Sequence, residues 1–418
     1  MHLAVPFALL RLGWRSRKNP AYRQRIAERF AFFPALDQHP RLCLHAVSVG
    51  EVIAAKPLIS AILTHYPDYR LLVTTTTPTG STTLKRLFAN KVEHVYFPYD
   101  LPTVITRFLQ RSQPRVVIIM ETEIWPNFYR HCAKKNIPLI LANARLSARS
   151  FQRYEALQPF TQHILQTIDT VAARDQQDVE RFLQLGMNEN NVQKTGNIKY
   201  DLQIPKTQIT QGFAYRQAWG NRPIWLAAST HAGEDEILLT THQQLLNDFP
   251  DLLLILVPRH PERSSTIATL IRTQGLNFTQ RSLWQNPQTA VSNETSVVLA
   301  DSLGEMFIWL KTADIAFIGG SLIERGGHNP LEAAALAKPI ISGPFVFNFT
   351  DVFHTLMQAN AAVLVDNPKA LCKHVHQWLS NPSTAQLIGQ NGQQVIEQHH
   401  NATQNIISLL QQTIAKLK

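Results

Sequence analysis

The chain has 418 residues, enough for two or three domains with a substantial core, and 44% of them are apolar, as in globular proteins. Forty basic against thirty acidic residues leave a formal charge of +10, which favours an anionic partner: nucleic acid, anionic lipid or a phosphorylated substrate. Cys43, Cys132 and Cys372 are scattered without CxxC or metal-ligand spacing, which argues against a disulfide framework or a zinc site and fits a reducing compartment.

Met1–Gly13 is apolar, interrupted by Pro6, too short to span a bilayer, and lacks the small-residue cleavage site of a secretory signal. Arg11, Arg15, Arg17, Lys18, Arg23, Arg25, Arg29 and Arg41 crowd the first 41 residues against only Glu28 and Asp37. An apolar start followed by Trp14 and basic residues suits a membrane-associating helix with its arginines at anionic headgroups; a core helix with a solvated basic face is the other reading. Residues 1–40 are set apart on that ground.

From Arg41 the chain alternates strands and helices. Expected strands are Leu42–Val47, Leu71–Thr75, His94–Phe97, Val116–Met120, Leu139–Ala142 and Thr170–Ala173, with helices over Val52–His65 and Ser81–Ala89. Apolar runs rich in Val, Ile and Leu predict parallel strands covered on both faces, hence a Rossmann-like α/β domain over 41–205. A polar stretch at 206–222 reads as a linker. Ile224–Ala228, Leu252–Val257, Val297–Ala300, Ile315–Ile318, Ile340–Ser342 and Ala362–Val365 then repeat the pattern in a second such domain over 223–381. Residues 382–418 read as helices that pack back on the first domain. Two doubly wound domains facing across a cleft would put their chemistry at the carboxyl ends of both sheets.

Several strand ends carry reactive side chains. Ser48-Val49-Gly50-Glu51 is a capping-box pattern, and Glu51 at a strand end is equally a base for an incoming hydroxyl. Glu121 and Glu123 after Val116–Met120 read either as helix-entry acidity or as a carboxylate pair. Lys199 stands where the first domain meets the expected linker. Arg259 and His260 follow an apolar strand and suit an anionic ligand, arginine pairing bidentately with phosphate or carboxylate. His231 to Glu236 lacks a persuasive metal-ligand set, and no DxD triplet occurs, so no metal is expected. No RNP-like motif, zinc-finger spacing or internal arginine-rich tract supports nucleic-acid binding. Asp314–Pro344 reads as strand, glycine-containing loop, helix and strand, with Asn329 at the N-cap, Pro330 at the first helical position and Glu332 at the third. Such a helix start suits a phosphate, or serves only as a well-capped crossover.

Taken in order, HAVSVGE (45–51), PYDLP (98–102), METEIWPN (120–127), NARLS (143–147), TGNIKYD (195–201), ASTHAGEDE (228–236), PRHPER (258–263) and GGHNPLEAA (326–334) resemble the 3-deoxy-D-manno-octulosonic acid (Kdo) transferases, glycosyltransferases of GT-B architecture. NPAYRQRIAERF (19–30) resembles that family's basic post-anchor segment, although relatives often carry a longer apolar start. The resemblance implies inverting, metal-independent transfer of Kdo from CMP-Kdo to a lipid A precursor at the cytoplasmic face of the inner membrane, with no cofactor. By position it implies that Glu51 is the general base and that Glu121 and Lys199 stabilise the transition state. Arg259, His260, Gly304, Glu305, Met306, Asn329, Pro330, Leu331 and Glu332 would bind CMP. The alternative is a nucleotide-sugar epimerase on the same fold, in which Glu51 removes a proton from the donor sugar.

Overall fold

The computed structural model describes residues 12–14, 16–17, 19–285 and 291–417. The apolar start through Arg11, together with Arg15 and Lys18, lies outside them. Among the described residues no helix is long and apolar enough to cross a membrane. The chain divides into two units, Met1–Asp201 with His399–Lys418, and Leu202–Gln398.

The first unit holds β1 (Arg41–His45), β2 (Arg70–Thr75), β3 (Glu93–Tyr96), β4 (Pro114–Met120), β5 (Leu139–Ala144), β6 (Thr170–Ala173) and β7 (Val192–Lys194). All pair in parallel, in the order β3-β2-β1-β4-β5-β6-β7. Side chains alternate between two buried layers: Val117 and Ile119 of β4 enter one, Val116, Ile118 and Met120 the other. Helices cover both faces, which is why these strands read as continuous apolar runs. The helix Ala402–Ala415 closes one layer with Ile406, Ile407, Leu410 and Ile414.

Three arginines expected at headgroups are folded inward instead. Arg41 is fully buried, held by Glu93 and Asp37. Arg29 is buried and lies over the Tyr96 ring at 4.2 Å. Arg25 bonds Glu28 and His94. The physical reason is that a guanidinium lowers its desolvation penalty by pairing with carboxylates or stacking on an aromatic face.

The second unit holds β8 (Ile224–Thr230), β9 (Leu253–Pro258), β10 (Phe278–Gln280), β11 (Val297–Leu299), β12 (Ile315–Ile318), β13 (Ile340–Ser342) and β14 (Ala362–Leu364). The order β10-β11-β9-β8-β12-β13-β14, again parallel, places its switch point between β8 and β12. Within 206–222 the chain forms a helix, Lys206–Ala218, that packs on the helix Met306–Thr312. Gly212 permits the approach, since a Cβ there would lie 2.6 Å from the Ile308 carbonyl oxygen. The helix Pro382–His399 buries Gly389 against the Ala337 backbone.

Candidate active site

In the first unit β1 and β4 are neighbours on either side of the point where strand order reverses, the usual ligand position of such a sheet. Glu51 follows β1 on the short helix Val49–Ala54. Its Oε2 accepts the Val47 N–H at 2.7 Å, while Ser48 makes no side-chain cap bond. The capping box is therefore half formed, displaced by one residue from the Ser48 N–H that the pattern predicts. Among the described residues no hydrogen bond engages Oε1, so the cap leaves one oxygen available.

Burial pushes the Glu51 carboxyl up to about 8; the Val47 N–H opposes this, and the charges of Glu121 and Glu123 add to it. Glu123 is likewise raised, chiefly by burial and then by Glu121. Glu121 sits at φ 58°, beyond the end of β4, where its N–H bonds the Ala142 carbonyl. Such backbone in a non-glycine residue is held by its surroundings, here also by the Tyr129 hydroxyl donating to the Glu123 carbonyl. The three carboxylates thus form one electrostatic cluster.

Lys199 lies in a short turn, Ile198–Tyr200. Its N–H bonds the Asn197 side chain at 3.1 Å, and buried Asn143 accepts the Ile198 N–H at 3.1 Å. The Asn143 side chain is thus a strut between the end of β5 and the lysine turn.

The second unit has a pocket of about 230 Å³ at its switch point. Ser229, Arg259, Met306, His328, Asn329 and Glu332 supply its functional lining, with Ala228, Leu310, Ile318 and Ala333 as apolar walls. Arg259 is exposed, and among the described residues no carboxylate lies in salt-bridge range of it, which leaves a guanidinium for an anionic ligand. His328 and His231 share a hydrogen bond, Nε2 to Nε2 at 2.9 Å. Burial holds His328 down to about 4, with the charges of His231, Arg259 and His260 adding. Both rings are then neutral near neutral pH, one donating and one accepting.

The anticipated helix start is shifted. The helix is Leu331–Ala335 with Pro330 at its N-cap, so Glu332 takes the second position, not the third. Asn329 still caps, its Oδ1 accepting the Leu331 N–H at 3.1 Å. Five residues carry little macrodipole, so the side chains supply most of the recognition.

Of the residues expected to bind CMP, Arg259, Met306, Asn329 and Glu332 come together in the pocket. Pro330 and Leu331 are buried beside it. His260 does not line it; it lies 3.4 Å from Glu262 and packs edge-on against His231. Glu305 is occupied by a two-pronged bond from Arg281 at 2.8 and 3.1 Å, and the Gly304 carbonyl accepts from Gln208. Ser229 and His328 stand inside quoted motifs without an assigned role; the only signal was a polar side chain at a strand end for Ser229 and just before a helix start for His328.

A family described as 3-deoxy-D-manno-octulosonic-acid transferase (kdotransferase) matches residues 24–202, and glycosyl transferases group 1 match residues 274–395. The 3-deoxy-D-manno-octulosonic acid transferase of Haemophilus influenzae is 41% identical over 98% of this chain and 96% of its own. That of Bordetella pertussis is 33% identical over 88% and 86%. UDP-GlcNAc 2-epimerase from Neisseria meningitidis, solved with UDP-GlcNAc, superposes with TM-score 0.55 over 90% of this chain and all of its own, but at 14% identity it shares only the fold. A Rossmann-like unit with a carboxylate cluster, a second with an anion-ready pocket, and 41% identity to the Haemophilus enzyme over nearly the whole chain lead to one assignment: the chain belongs to the Kdo transferase family and is a glycosyltransferase.

Proposed function

We propose that the chain moves Kdo from CMP-Kdo to a phosphorylated, acylated lipid A precursor, inverting the anomeric centre and using no metal, at the cytoplasmic face of the bacterial inner membrane. The observation that carries this reading is Glu51, a carboxyl at the end of β1 whose proton affinity is raised into the range of a general base working near neutral pH.

The acceptor hydroxyl attacks the anomeric carbon and gives its proton to Glu51 as the carbon–oxygen bond to the CMP phosphate breaks. The sugar gains positive character in the transition state, which the charge of Glu121 stabilises. Lys199 pairs with the Kdo carboxylate. The departing phosphate gains charge, so Arg259 stabilises the transition state more than the ground state. Glu332 is assigned to the ribose hydroxyls. At the one HxxE motif, the Glu234 carboxylate is already bonded by four backbone N–H groups, which disfavours a metal there. Membrane attachment is assigned to the first segment, with exposed Trp14 at the interface.

Transfer measured in excess EDTA, with the product's anomeric configuration read by NMR, tests chemistry and metal independence together. Undiminished turnover with inversion is expected. Retention of configuration, or activity restored only by a divalent cation, refutes the corresponding part.

A further inference from the structure

Glu234 begins the helix Asp235–Leu245 and is completely buried. A buried carboxylate is costly unless its oxygens are hydrogen-bonded. Here four backbone N–H groups meet it: His231 and Gly320 donate to Oε2 at 2.9 and 2.7 Å, Ser321 and Leu322 to Oε1 at 2.9 and 3.0 Å. Three consecutive amides from the loop after β12 thus form an anion-binding nest, and a side chain of the same chain fills it.

The loop so folded carries one wall of the pocket. The Gly327 N–H bonds the Gly320 carbonyl at 2.8 Å, and the His328 N–H bonds the Gly319 carbonyl at 3.2 Å. His328 then meets His231, whose own N–H is held by Glu234. Gly320 has φ 69°, and a Cβ there would lie 3.0 Å from the His328 ring. The position of His328, and of Asn329 after it, therefore depends on the Gly319–Gly320 backbone that Glu234 fixes.

We propose that Glu234 is a positioning residue of the donor site, an internal anion that holds the 319–322 loop and so seats His328 and Asn329 beside Arg259. It touches no substrate. A consequence is that these loop amides are spent within the protein, so the donor phosphate is held mainly by side chains. The identity of the ligand, CMP, rests on the function proposed above; the positioning role does not.

Two readouts test it on the full-length protein: CMP affinity by calorimetry, and the His231–His328 hydrogen bond by imidazole ¹⁵N NMR. Glu234→Ala is expected to break the histidine pair and weaken CMP binding about ten- to a hundred-fold, the scale of a small misplacement of binding groups. Acetate, matching the removed CH₂–COO group, should restore both in the variant and leave the wild type unchanged. Glu234→Gln should also lose affinity, because its NH₂ faces amide donors; a space-filling role predicts no loss. In kinetics the KM for the donor rises while kcat changes little. Wild-type affinity with an intact histidine pair in Glu234→Ala overturns the proposal, as does a loss that acetate leaves untouched. If Glu234→Ala does not fold, Glu234→Gln and Gly320→Ala decide in its place, and wild-type behaviour of both refutes it. A wild-type protein that does not bind CMP refutes the donor assignment alone, and the NMR readout still decides the role of Glu234.

Discussion

The proton affinity of Glu51 gives the sharpest prediction. With its carboxyl raised to about 8, only about a tenth of the free enzyme holds the base ionised near pH 7. The value of kcat/KM should therefore climb roughly tenfold per pH unit below that point and level off near pH 9, because a base must first lose its proton. Glu123→Gln removes one charge that raises the group, so the midpoint should move toward the ordinary carboxylate range. That shift should be modest, since burial is the larger cause. Glu51→Gln should lower kcat by about a hundred- to ten-thousand-fold and leave CMP affinity intact.

Stability supplies an independent check. A group with a folded-state value raised above its unfolded value favours folding fully below the unfolded value, and that benefit is lost as pH rises through about 8. Glu51→Gln should thus gain thermal stability relative to wild type across that interval. A flat kcat/KM profile from about pH 6 to 9, or a Glu51→Gln variant with normal turnover, refutes the assignment of the base.

Other expectations follow from single contacts. Asn143→Ala leaves the buried Ile198 N–H without its partner, which costs about 1–3 kcal/mol. Melting temperature and kcat should fall while calorimetric CMP affinity stays unchanged. Arg259→Ala should raise the donor KM about tenfold or more, and Arg259→Lys should recover only part, because lysine lacks the bidentate fork; an unchanged KM removes Arg259 from the site. Deleting residues 1–18 should reduce flotation with anionic vesicles while activity on detergent-dispersed acceptor persists, and unchanged flotation contradicts the anchor.

The central strands were legible because parallel strands buried on both faces are written as unbroken apolar runs. Two were not, Val192–Lys194 and Phe278–Gln280, each three residues long at a sheet edge, where one side lacks a neighbour and the run is too short and polar to register. Glu51 was legible in both its readings; its Oε2 makes a bond like that of a cap, to the Val47 N–H rather than the Ser48 N–H, while Oε1 stays available for the proposed base role. From the sequence Glu234 reads only as a weak metal-ligand candidate. Its partners in the nest lie 86 to 88 residues away along the chain, a separation that no local pattern reports. The fates of Arg29 and Arg41 were hidden for the same reason, since Tyr96 and Glu93 stand far along the sequence. Asn329 is legible as a cap, but the helix begins one residue later than the pattern predicts.

The most direct measurement incubates purified protein with CMP-Kdo, with and without a tetraacylated, bisphosphorylated lipid A precursor, and follows CMP release and product mass. CMP release coupled to an acceptor heavier by whole Kdo units is expected, with little turnover when the acceptor is omitted. Conversion of CMP-Kdo at the same rate without acceptor, and no gain in acceptor mass, would contradict it.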